Sequence, residues 1–254
     1  MRVLILGGTS QARGLAELLD RLPDVSVISS LAGRVKEPAR PVGEVRIGGF
    51  GGADGLAGWL RHNGIDALVD ATHPFAVTMS RTAAEVSCEL GLPMLVLTRP
   101  GWSAQPGDRW LRVPTLTAAA EALADLGKRV LLTTGRNDLA PFRALESHWF
   151  LIRTVDPPAP EDLPARSEVL LARGPFAVAA EIALMESRQI DVLVTKDSGG
   201  DATSAKLEAA RQLAIPVVMV DRPVLLSERS VPTVSDLADA VQWVASLSLD
   251  NAAG

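Results

Sequence analysis

Along the whole chain, a short apolar run breaks into small and polar residues and is followed by a helical period. Residues 3–6 are apolar throughout, as expected of a strand covered on both faces. They give way to Gly7-Gly8-Thr9-Ser10, after which Leu15, Leu18, Leu19 and Leu22 recur at the spacing of one helix face. Similar runs predict strands at 25–30, 45–47, 67–70 and 94–98, with helices at 54–61 and 82–90. Arg99-Pro100-Gly101-Trp102 closes the fifth strand, and residues 103–114 read as irregular, with the turn residues Gln105-Pro106-Gly107-Asp108 within them.

The pattern then starts again. Arg129-Val130-Leu131-Leu132 echoes Arg2-Val3-Leu4-Ile5, Ile190 to Val194 echoes Ile65 to Val69, and Ile215 to Pro223 echoes Leu92 to Pro100, each about 125 residues later. The second set predicts strands at 129–133, 149–154, 169–172, 192–195 and 217–220, and helices at 116–125, 139–145, 176–186 and 204–213. Residues 154–164 read as a proline-rich loop, and a last helix at 235–246 is expected to pack back on one lobe. Alternating strands and helices with apolar central strands imply parallel sheets. The expected fold is α/β, with two Rossmann-like lobes related by internal duplication, a cleft between them and a boundary near Pro114. The lobes are then residues 1–114, which would bind a nucleotide, and 115–254, which would face a substrate.

The candidate chemistry clusters where strands end. Paired glycines at a strand-to-helix junction let backbone N–H groups approach an anion at the positive end of a helix. Gly7, Gly8, Thr9 and Ser10 form such a junction, although without the usual G-x-G-x-x-G order. The second strand ends in Ser29 and Ser30, with Arg34 following, where an NAD site would carry Asp or Glu. Hydroxyls and an arginine suit a 2′-phosphate, hence NADP. Gly48-Gly49-Phe50-Gly51-Gly52 follows the third strand as a loop, and Thr72-His73-Pro74 follows the fourth. In the second half, Thr133-Thr134-Gly135-Arg136 has a single glycine and suits a different anion. Arg173 and the loop Lys196-Asp197-Ser198-Gly199-Gly200 stand at further strand ends.

Composition narrows the classes. The 254 residues are 47% hydrophobic and carry a formal net charge of −5, which disfavours nucleic acid or an anionic membrane as partner. No apolar stretch is long enough to span a bilayer and the N-terminus runs straight into a strand, so the cytoplasm is the expected compartment. The single cysteine, Cys88, excludes an internal disulfide and is expected as a small buried helical residue. His62, His73 and His148 lack metal-ligand spacing, and no metal is expected. There is no tyrosine, which removes the short-chain dehydrogenases, whose catalysis pairs tyrosine with lysine.

Five segments in order, VLILGGTSQAR from Val3, DATHPFA from Asp70, LTRPGW from Leu97, LLTTGRNDL from Leu131 and VLVTKDSGG from Val192, resemble the precorrin-6A reductases of cobalamin biosynthesis. The resemblance covers nearly the whole chain. It implies NADPH-dependent reduction of precorrin-6A to precorrin-6B, by hydride transfer to the macrocycle plus protonation. It also implies a cofactor site at Gly7, Gly8, Thr9, Ser10, Arg13, Ser29, Ser30, Arg34, Thr72, His73 and Pro74, to which the glycine loop adds Gly48, Gly49 and Phe50. His73, Lys196 and Asp197 become the catalytic candidates, with His73 or Lys196 as proton donor. Arg99, Arg136, Arg173, Lys196 and Ser198 become candidates for holding the carboxylates of a tetrapyrrole. The alternatives are a two-lobed small-molecule binding protein without redox chemistry, and a transferase that uses a nucleotide triphosphate. The sequence leaves the oligomeric state open, a monomer included.

Overall fold

The computed structural model describes residues 1–33, 40–223 and 231–252. Arg34 therefore lies outside the described residues. The chain divides into two compact units. One comprises Met1–Pro100 together with Pro223–Gly254, and the other Gly101–Arg222.

In the first unit the strands are β1 (Arg2–Leu6), β2 (Ser26–Leu31), β3 (Glu44–Ile47), β4 (Ala67–Asp70) and β5 (Met94–Leu97). The helices are α1 (Ser10–Leu19), α2 (Gly52–His62) and α3 (Val77–Leu90). In the second unit β6 (Trp110–Val113) and α4 (Leu116–Ala122) precede β7 (Arg129–Leu132), β8 (Trp149–Thr154) and β9 (Ser167–Leu171). Then follow α5 (Val178–Ser187), β10 (Val192–Lys196), α6 (Ala205–Gln212) and β11 (Val217–Val220). The chain ends with β12 (Thr233–Val234) and α7 (Leu237–Ala252), back in the first unit.

Each unit is built on one six-stranded sheet, in the orders β12-β5-β4-β1-β2-β3 and β6-β11-β10-β7-β8-β9. Every recorded pairing is parallel. The two orders superimpose strand for strand, as a duplication requires: β1 corresponds to β7, β2 to β8, β3 to β9, β4 to β10 and β5 to β11. The sixth strand is exchanged. The segment after β5 supplies β6 to the second sheet, and the segment after β11 supplies β12 to the first. Both sheets thus complete the doubly wound order with a strand supplied from outside their own five-strand run.

That exchange moves the boundary from the expected Pro114 to Pro100–Gly101 and assigns the last helix to the first unit. Residues 110–113 are a strand where irregular chain was expected. Arg109, Arg112 and Pro114 obscure its alternation, and as an edge strand it needs only one buried partner, β11. The helix expected at 139–145 is reduced to one turn, Ala140–Phe142, with proline in its first positions. Leu139 and Phe142 are both buried, so one turn satisfies the helical spacing that the sequence displays.

The core of the first unit has two layers because β1 alternates. Val3 and Ile5 face Leu15, Leu19, Ala240 and Val244 of α1 and α7. Leu4 and Leu6 face Leu56 and Leu60 of α2 together with Ala83 and Val86 of α3. In the second unit Leu131, Leu151, Leu193 and Val217 pack on Met185 of α5 and Leu207 of α6. Burying strands on both faces explains their near-continuous apolar runs. Cys88 is exposed, contrary to expectation. On α3 the buried face is taken by Ala83, Ala84, Val86 and Ser87, which turns Cys88 outward beside Glu85 and Glu89.

Candidate functional site

In the first unit the residues that follow β1, β3 and β4 gather at the carboxyl edge of the sheet, beside the last residues of β2. Gly7 N–H donates to the Ser30 carbonyl at 2.9 Å and Ala71 N–H to the Leu6 carbonyl at 2.9 Å, which binds the glycine turn to its neighbours on both sides. Gly8 has φ of 108°, a left-handed conformation that glycine adopts without strain, and a Cβ built there would meet nothing within 4 Å. Thr9 is the N-cap of α1: its hydroxyl accepts from Ala12 N–H at 3.1 Å and donates to the Ala71 carbonyl at 2.8 Å. No acidic side chain occupies the first turn of α1. Open backbone at a helix N-terminus, without competing carboxylates, suits a phosphate. Arg13 turns back on this junction, with Nη1 3.4 Å from the Thr9 carbonyl.

Ser29 and Ser30 are buried next to Leu31, the last residue of β2, and Ser29 Oγ has no hydrogen-bond partner among the described residues. Ser30 pairs in register with Arg46 of β3, a residue that the sequence reading passed over. Arg46 Nη1 donates to Ser30 Oγ and to the Gly48 carbonyl, and Nη2 to the Gly49 carbonyl, all at 2.9 Å. Its guanidinium lies 3.8 Å from the ring centroid of Phe50 and 5.5 Å from that of Trp59. Burial pulls this guanidinium below its ordinary pKa. The glycine loop at Gly48, Gly49 and Phe50 is thus held by one arginine, and α2 begins immediately after it.

At the end of β4, Asp70 Oδ1 accepts from Thr72 N–H at 3.0 Å and from Thr72 Oγ1 at 2.7 Å. Its second oxygen is buried without a partner among the described residues. Asp70 is a further polar group at this rim that the sequence reading did not single out. His73 Nδ1 accepts from Phe75 N–H at 3.3 Å, which in the neutral ring places the proton on Nε2. Pro74 and the half-buried His73 lie in the turn leading to α3. Arg99 is half-buried just beyond β5.

The second unit carries its own cluster. Thr133 N–H and Oγ1 both donate to the Val194 carbonyl, at 3.0 and 3.2 Å, which fixes the loop after β7 against β10. Lys196 Nζ donates to Asp138 Oδ2 at 2.7 Å, so the ends of β7 and β10 meet through an ion pair. Ser198 N–H donates to the Lys196 carbonyl at 2.7 Å. Arg136 is half-buried in the loop after β7, while Arg173 is exposed after β9.

Asp197, a catalytic candidate from the sequence, is held by partners within its own unit. It is 4% exposed, its Oδ1 accepts from Trp102 N–H at 2.9 Å and its Oδ2 from Arg112 Nη2 at 2.7 Å. Its carbonyl accepts from Arg222 Nε at 2.8 Å. The hydrogen bond that Arg112 donates to Asp197 in turn holds its guanidinium above its ordinary pKa. With both oxygens engaged inside the unit, Asp197 braces the loop that presents Lys196 and Ser198. Among the described residues no group of three or more His, Cys, Asp and Glu could hold a metal ion, and no helix is long and apolar enough to cross a membrane.

A family model described as "Precorrin-6x reductase CbiJ/CobK" matches residues 2–245. The chain belongs to the precorrin-6x reductase family. A precorrin-6A reductase of Rhodococcus erythropolis is 55% identical over 97% of this chain and 98% of its own. A cobalt-precorrin-6A reductase of Salmonella typhimurium is 30% identical over 87% of each. A solved structure titled "CobK precorrin-6A reductase" superimposes with a TM-score of 0.89 and 39% identity, covering 97% of both chains. The family assignment agrees with the resemblance read from the five segments, and the structural match agrees with the two-unit parallel architecture.

Proposed function

We propose that the protein reduces precorrin-6A to precorrin-6B with NADPH, the nucleotide bound by the first unit. The observation that carries this reading is the rim of that unit. An acid-free helix N-terminus follows a glycine turn, and serines with a nearby guanidinium stand where NAD-binding domains carry a carboxylate. NADPH, when bound, supplies the hydride.

The chain's residues then have three tasks. Gly7, Gly8, Thr9, Ser10 and Arg13 take the pyrophosphate, and Ser29 and Ser30 face the ribose. Thr72, His73 and Pro74 line the nicotinamide end. Arg99, Arg136, Arg173 and Ser198 supply donors for the carboxylates that rim a tetrapyrrole. His73 or Lys196 delivers the proton that completes the reduction, each being a side chain able to carry and give up a proton. Asp138 orients Lys196, and Asp197 acts by positioning rather than by contact.

The cobalt-free macrocycle is the favoured substrate, because the relatives named precorrin-6A reductase reach 55% identity whereas those named for the cobalt form reach 30%. Fluorescence titration with NADPH and NADH tests the nucleotide assignment: NADPH is expected to bind at least about tenfold more tightly, a difference of about 1.4 kcal/mol. Equal affinity, or no binding of either nucleotide, would overturn it.

A further inference from the structure

Arg46 is a cation held in place by neutral groups. Its recorded partners are a serine hydroxyl, two backbone carbonyls and the faces of Phe50 and Trp59. Among the described residues no carboxylate lies within ion-pair distance of it. Partial burial disfavours its charge, yet guanidinium stays protonated at any physiological pH. With no carboxylate beside it among the described residues, this charge would be stabilised by a bound anion.

Its place in the fold says which anion. Arg46 pairs in register with Ser30 at the carboxyl ends of β2 and β3. In a doubly wound sheet this is where the adenosine ribose is read, by a carboxylate when the 2′-hydroxyl is free and by an arginine when it is phosphorylated. The three recorded hydrogen bonds use three of the five guanidinium N–H groups and fix its plane against Phe50. Ser30 Oγ accepts from Arg46, which leaves its own O–H as a donor.

We infer that Arg46 is the specificity-determining residue for the cofactor, receiving the 2′-phosphate of NADPH on its remaining N–H groups with the Ser30 hydroxyl beside it. The inference rests on the NADPH reading above and names the group that enforces it. It also assigns a second task to the same side chain, since the arginine that would read the phosphate also holds the Gly48–Gly49 carbonyls in position.

The test is calorimetric binding of 2′,5′-ADP and of 5′-AMP, which differ only in the 2′-phosphate, to the native protein and to Arg46→Gln and Arg46→Lys, with the unfolding midpoint of each as a folding control. The native protein is expected to prefer 2′,5′-ADP by at least about tenfold. Arg46→Gln should remove that preference while 5′-AMP affinity stays within about twofold, and Arg46→Lys, which keeps the charge but not the fork, should restore part of it. Undiminished preference in Arg46→Gln would overturn the assignment and leave the NADPH reading intact. An equal loss for both ligands would overturn it too, reducing Arg46 to a support of the loop. Absence of any preference in the native protein would overturn both.

Discussion

Nη2 of Arg112 donates to Oδ2 of Asp197 across 2.7 Å, while Nε of the same guanidinium donates to Asp221 at 2.6 Å. One arginine of β6, the strand supplied from after β5, thereby ties together the ends of β10 and β11. Asp197 holds the chain start of its unit as well, through Trp102 N–H. Gly101 approaches so closely that an added Cβ would lie 2.8 Å from Oδ2. Replacing Asp197 by Asn should lower the unfolding free energy by about 1.5–3 kcal/mol, the range for hydrogen bonds to a charged group. Denaturant unfolding checks this. Turnover should fall together with stability; a loss of turnover with unchanged stability would instead argue for direct contact with substrate.

Lys196 and His73 are separable by kinetics. If either delivers the proton, replacing it by Ala should lower turnover by more than about tenfold, roughly 1.4 kcal/mol of barrier. Asp138→Asn should then weaken the Lys196 effect only in part, because it removes the 2.7 Å partner and leaves the ammonium. Steady-state kinetics of the three variants check this. Neither alanine variant reaching a tenfold loss would remove both from the reaction.

Thr9 joins stability to cofactor binding. Its hydroxyl caps α1 and bridges to the Ala71 carbonyl, and the residue is 7% exposed. Thr9→Ala should cost about 1–2 kcal/mol, as for other lost N-caps. Because this hydroxyl, beside the Ala71 N–H bond to the Leu6 carbonyl, helps tie the turn to the end of β4, NADPH affinity should fall as well. Thermal unfolding with and without NADPH checks both effects, and Thr9→Ser should recover them.

Glu181 and Arg153 form an ion pair in which both residues are more than nine-tenths buried, with Arg153 stacked 4.0 Å from the Phe176 ring centroid. Glu181→Ala leaves a buried guanidinium without its counter-charge. A destabilisation of about 3–5 kcal/mol is expected, readable as a lowered denaturation midpoint. Replacing the pair together by apolar residues of similar volume should recover most of it.

The sequence displayed the eight inner strands because they are buried and largely apolar, and it also showed the edge strands β3 and β9, which are more exposed. It hid β6 and β12, which stand at sheet edges. Arg112 faces outward from β6 to bind Asp197, and β12 has only two residues, too few for a period. The exchange of those strands leaves no mark in a linear pattern, so the unit boundary was misplaced at Pro114. At the candidate site, the glycine turn and the Ser29-Ser30 ending were legible because turn chemistry is local. Arg46 was not, since one polar residue in a three-residue apolar reading carries no signal until β3 pairs with β2. The partners of Asp197 were hidden for a similar reason: its motif was visible, but Trp102 and Arg112, which engage its oxygens, lie far away in sequence.

The most direct measurement combines purified protein, precorrin-6A and NADPH deuterated at the transferring position, with the product read by mass spectrometry and NADPH by its absorbance. One NADPH consumed per macrocycle, one deuterium in the product and much slower turnover with NADH are expected. NADPH left unoxidised, or a product without deuterium, would contradict hydride transfer from NADPH.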